Sequence, residues 1–125
     1  MESYRFSFEK LEVWQMARKL AISIYRVTAR YPPEEKYSLV SQMRRAALSV
    51  CANLAEGSSR YTAKDQAHFT TIAYSSLLEL LNHQIISADL GFLPENELPT
   101  FRKDIQSLSV RLNNFKTSQL KRTSP

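Results

Sequence analysis

Glycine and cysteine are almost missing from this chain: it has two glycines and one cysteine in 125 residues. A sheet with many tight turns needs residues that accept positive φ, so this scarcity favours helices. Cys51 has no second cysteine with which to close an internal disulfide, which fits a reducing compartment, and the expected location is cytoplasmic. No apolar run approaches the roughly 20 residues a membrane-spanning helix requires, so no membrane association is expected. The opening residues, Met-Glu-Ser-Tyr-Arg-Phe, lack the apolar stretch of a secretory leader, and none is expected.

These shortages also remove most catalytic chemistry. His68 and His83, the two histidines, are fifteen residues apart on one predicted helix, too far along it to share a metal within one subunit. No His/Cys/Asp/Glu group has zinc spacing, and the Glu-x-x-His pairs of di-iron bundles are absent. Glu79 with His83 is the nearest approach, and reads as a polar pair. Cys51 lies between Val50 and Ala52 and reads as a small packed residue rather than a nucleophile. Gly57 and Gly91 form no phosphate-cradling loop. No catalytic residue, metal ligand or cofactor is expected, and the chain reads as non-enzymatic.

What is present is helical periodicity. With 43% hydrophobic and 23% charged residues, the composition is that of a globular protein, and the length fits a single domain over residues 1–125. Val13, Ala17, Leu20, Ile24, Val27 and Tyr31 recur at spacings of four and three, predicting a helix over about 9–31 that Pro32-Pro33 ends. A second helix over about 39–58 has Ser38 as its N-cap candidate, with Gly57 and Ser58-Ser59 marking its end. A third over about 63–90 starts on the capping-box-like Thr62-Ala-Lys-Asp65 and stops at Gly91. A fourth over about 95–118 carries Leu98, Phe101, Ile105, Leu108, Leu112 and Phe115, with Pro99 either at its first position or kinking it. Short connections between heptad-patterned helices predict an all-α, antiparallel up-down-up-down four-helix bundle.

The second helix organises the rest. Val40, Met43, Ala47, Val50 and Leu54 form one stripe; Gln42, Arg45, Ser49, Ala52 or Asn53, Glu56 and Arg60 form another on the opposite face. The third helix carries Phe69, Ala73, Leu77 and Leu80 on one side and Tyr74, Leu78, Leu81 and Ile85 on another, more than the about 100° of apolar arc a surface helix needs. Both helices therefore read as packed by a neighbouring subunit as well as their own, through Gln42, Arg45, Ser49, Asn53, Glu56, Tyr74, Leu78 and Ile85.

Net charge is +5, from 17 basic and 12 acidic residues, but it is unevenly spread. Residues 62–93 hold only Lys64 against Asp65, Glu79 and Asp89, whereas 9–31 and 94–125 are basic. The candidate nucleic-acid contacts are Lys19, Arg26 and Arg30 on the first helix with Arg45 and Arg60 on the second, gathered by an oligomer into a phosphate-binding surface. Arg45 pairing with an acid across a subunit interface is the competing reading. Trp14 reads as a core or interface aromatic rather than a base-stacking platform.

Several stretches together resemble a known family: Phe8-Glu-Lys-Leu-Glu-Val-Trp-Gln-Met-Ala17, Glu35-Lys-Tyr-Ser-Leu-Val-Ser-Gln-Met-Arg-Arg-Ala-Ala-Leu-Ser49, Asn53-Leu-Ala-Glu-Gly57, Ile72-Ala-Tyr-Ser-Ser76 and Asp89-Leu-Gly-Phe-Leu93. They are similar to the bacterial four-helix-bundle proteins whose founding members are encoded in intervening sequences of 23S ribosomal RNA genes. Cys51-Ala52 stands where that family commonly has a proline-serine-like pair. The resemblance implies a left-handed bundle that assembles as a homopentamer, with no defined activity. A group similar in fold, the accessory variability proteins of diversity-generating retroelements, forms basic pentamers that bind nucleic acid and a reverse transcriptase. The partners so implied are further copies of the chain, RNA or DNA, and a protein such as a reverse transcriptase. The alternative is a protein-interaction scaffold without direct nucleic-acid binding.

Overall fold

The computed structural model describes residues 3–122. Four α-helices carry them: α1 (Glu12–Thr28), α2 (Leu39–Gly57), α3 (Ala63–Asp89) and α4 (Leu98–Lys121), with no strand among the described residues. The all-α four-helix expectation holds. α2 packs on α1 and α3, and α4 on α3 and α1. Along these seams, early positions of one helix meet later positions of its neighbour, and middle positions meet middle ones. Met43 meets Ser87 and Ser49 meets Ser76 between α2 and α3, Thr70 meets Gln119 between α3 and α4, and Glu12 pairs with Arg111 between α1 and α4. That is the register of neighbours running in opposite directions.

The boundaries differ from the sequence expectation where local bonds compete with the helix. α1 starts at Glu12 rather than residue 9, because Ser7–Lys10 form a separate 3-10 turn. The Phe6 amide donates to the Glu9 carboxylate at 2.8 Å to hold that turn, and Leu11 is extended between the two elements. α1 ends at Thr28; beyond it the amides of Arg30 and Tyr31 bond three residues back, to Val27 and Thr28, as the chain tightens toward Pro32-Pro33. α4 starts at Leu98, with Pro99 second, where a missing amide hydrogen is tolerated, and it runs on to Lys121. Thr62 accepts the Asp65 amide at 3.1 Å, as its capping pattern predicts. Ser38 does not cap α2 with its side chain; its hydroxyl donates to Glu35 at 2.9 Å.

The predicted stripes of α1 and α2 fill the core. Val13, Ala17, Leu20, Ile24, Val27 and Tyr31 are buried, as are Val40, Met43, Ala47, Val50 and Leu54, together with Phe101, Ile105, Leu108 and Leu112 of α4. α3 departs from the pattern. Its core face is Ala73, Leu77 and Leu80, continued by the polar Gln84 and Ser87, both fully buried. Tyr74, Leu81 and Ile85 are half-buried, and Leu78 is exposed.

Arg44 closes the join of α1 and α2. Its Nε donates to the Thr28 hydroxyl at 2.9 Å, its Nη2 to the Tyr25 carbonyl at 3.2 Å, and its guanidinium lies 4.5 Å from the Tyr25 ring centroid. A cation at the C-terminal end of α1 thus satisfies a last-turn carbonyl and suits the helix dipole. Arg44→Ala is expected to lower stability by about 1 kcal/mol, a figure reduced for partial exposure and read from the urea midpoint.

Candidate functional site

No cluster of three His, Cys, Asp or Glu with metal-binding geometry occurs among the described residues. His83 Nε2 lies 3.7 Å from Glu79, an isolated pair. Burial pushes the Cys51 thiol up to about 11, so at neutral pH it is protonated and weakly nucleophilic. The candidate contact residues lie on the outer faces of the helices.

The five candidate cations do not share one surface of the subunit. Lys19 and Arg26 are exposed two turns apart on one side of α1, with no ion pair among the described residues. Arg30 donates to Glu97 at 2.6 Å, just past the end of α1. Arg60 lies beyond the end of α2, at the other end of the bundle, 3.5 Å from Glu56 and 4.6 Å from the Phe69 ring centroid. Arg45 is exposed on α2 with no ion pair among the described residues. Two of the five are thus partly neutralised within the chain.

The polar stripe of α2 is divided. The Ser49 and Ser76 hydroxyls are 2.8 Å apart across the α2–α3 seam. The Asn53 amide donates to the Ser49 carbonyl at 2.8 Å and hydroxyl at 3.0 Å. Ser49 and Asn53 are half-buried, so much of their bonding capacity is met inside the subunit; Gln42, Arg45 and Glu56 stay exposed. On α3, Tyr74 borders a groove with Thr70, Leu112 and Lys116, so its ring faces the α4 seam.

Sequence reasoning overlooks a side that the fold assembles from α1 and α2. Ile22, Tyr25 and Leu48 are exposed there, between Arg18, which lies 5.5 Å from the Trp14 ring centroid, and Arg44 on Tyr25. Arg18, Ile22 and Tyr25 follow helical spacing along one side of α1, as do Arg44 and Leu48 on α2; that spacing is the available signal. Charge separates in the same way. Residues 13–33 and 36–55 contain no Asp or Glu, and residues 65–101 contain no Lys or Arg. The α1–α2 hairpin is therefore cationic away from its turn, and α3 is anionic.

A family model described as 23S rRNA-intervening sequence protein matches residues 9–114. No curated protein matches the chain. A solved structure from Bacteroides thetaiotaomicron VPI-5482, described as a protein with unknown function from the S23 ribosomal protein family, superposes with a TM-score of 0.74 at 15% identity, covering 83% of this chain and 97% of that one. At that identity the likeness concerns the fold.

Proposed function

Because the chain belongs to the 23S rRNA-intervening sequence protein family, we propose that it is a non-enzymatic homo-oligomer, a pentamer as the family resemblance implies, that binds structured RNA through cations repeated around the assembly. The observation that carries this reading is the pair Lys19 and Arg26: exposed, on one side of α1, without an ion pair among the described residues, on a helix with no acid after Glu12. Two unneutralised cations per subunit bind phosphate weakly, but an oligomer repeats them on a rigid scaffold and gains by multivalency. Arg30 and Arg60 contribute less, because each already faces a carboxylate. Arg45 is assigned to the contact between subunits, where a planar guanidinium suits a carboxylate.

Binding of a structured RNA, measured against salt, tests this. Affinity is expected to fall linearly on a log–log plot. Lys19→Glu with Arg26→Glu should reduce the slope by about 1 for every phosphate that a subunit ceases to neutralise. Arg45→Glu should instead shift the sedimentation coefficient downward, while Lys19→Glu alone leaves it unchanged. No binding at low salt, or binding indifferent to salt, removes the RNA reading. Equal sedimentation of both variants at wild-type size removes the assignment of Arg45.

A further inference from the structure

Two exposed apolar surfaces on this chain carry opposite charge. One lies along α1 and α2, where Ile22, Tyr25 and Leu48 are 43%, 39% and 48% exposed and Arg18 stands beside them. The other is the outward side of α3, where Leu78 and Ile86 are 45% and 42% exposed. Glu79, Asn82 and Asp89 fall on that same side by helical spacing and are exposed. Apolar side chains grouped on a helix face and rimmed by charge mark contact surfaces on soluble proteins.

We infer that these two surfaces are each other's partners: the α1–α2 side of one subunit docks on the outward side of α3 of the next copy. The inference rests on the homo-oligomer reading above and names its contact. Charge decides between the possible pairings. Two α1–α2 sides placed together oppose arginine to arginine, and two α3 sides oppose carboxylate to carboxylate; juxtaposing like charges at a contact is unfavourable. Pairing unlike sides sets Arg18 and its neighbours toward Glu79 and Asp89 and covers both apolar groups at once. Such a contact uses two different surfaces of one chain, so it repeats head to tail and closes into a ring where the rotation permits. A two-fold dimer, which uses one surface twice, does not follow from this charge distribution.

Two double variants test the pairing: Ile22→Glu with Leu48→Glu, and Leu78→Lys with Ile86→Lys. All four side chains are exposed, so each variant should keep the wild-type helix content by circular dichroism and a cooperative unfolding transition, which is checked first. By native mass spectrometry and sedimentation, each variant alone is expected to be monomeric. An equimolar mixture is expected to give 1:1 dimers and nothing larger, because one intact contact remains between the two and neither free end can grow. If either variant assembles like wild type, if one dimerises by itself, or if the mixture stays monomeric at the highest soluble concentration, the pairing is overturned while an oligomeric wild type keeps the broader reading. A monomeric wild type at micromolar concentration overturns both.

Discussion

Gly57→Val is expected to destabilise the fold by about 1–3 kcal/mol, read as a lower urea midpoint at fixed chain concentration. The last residue of α2 is buried against the first turns of α3, and a Cβ placed on it would lie 2.7 Å from the Cβ of Phe69. The obstruction is not the tip of a flexible side chain. A Cβ is fixed by its backbone, so relief requires the two helix ends to separate. That corner is also tied by the Gln66 amide donating to the Arg60 carbonyl at 2.9 Å and by Arg60 over the Phe69 ring. Because Phe69→Ala keeps the Cβ, it should not rescue Gly57→Val. A wild-type midpoint for Gly57→Val would show slack at the corner.

The two glycines show how far local pattern reading reaches. Gly91 is legible: it follows α3 with φ +82°, a conformation that nearly all side chains disfavour. The same rule reads Gly57 as a marker of the end of α2, yet its φ is not positive and it is the last helical residue. Its requirement is close approach between helix ends, set by the path of the chain through the corner, which no window of neighbouring residues displays. Arg44 and Arg45 divide similarly. One residue's step separates them by about 100° around the helix, which sets Arg45 outward and Arg44 beside the core. That Arg44 reaches back sixteen residues to Thr28 depends on where α1 ends, and hence on tertiary placement.

Strong periodicity and the Pro32-Pro33 break set which helices exist, but the ends of α1 and α4 lie about three residues from their expected positions, close to the range over which helix ends fray. Gln119 illustrates why: it lies past the expected end of α4, yet it is buried by a bond to Thr70 on α3. The candidate cations are legible as residue types but not as a surface. Ion pairs with Glu97 and Glu56 occupy Arg30 and Arg60; the Glu56 pair follows helical spacing, whereas only the fold brings Glu97 to Arg30 across 67 residues. The segregation of charge between the α1–α2 hairpin and α3, by contrast, is written in the sequence, and bears on both contact surfaces and phosphate attraction.

Gln84→Met should raise stability by about 1–3 kcal/mol, against the usual direction of core substitutions. Gln84 is 0% exposed, on the face of α3 that continues Leu77 and Leu80, and neither its Oε1 nor its Nε2 has a hydrogen-bond partner among the described residues. An amide withdrawn from water without a partner bears its full desolvation cost, and methionine has similar length without branching and fills the same space without polar atoms. Gln119→Met supplies the opposite sign. Gln119 Oε1 accepts the Thr70 hydroxyl at 2.7 Å with both residues buried, so its loss leaves Thr70 with a long 3.3 Å bond to the Gln66 carbonyl and should destabilise. Urea unfolding of the two variants side by side separates burial from bonding, because both exchange one buried glutamine for the same thioether. If both lose stability, the Gln84 amide finds a partner in solution, and the polar continuation of the α3 core face is a satisfied bond rather than a standing cost.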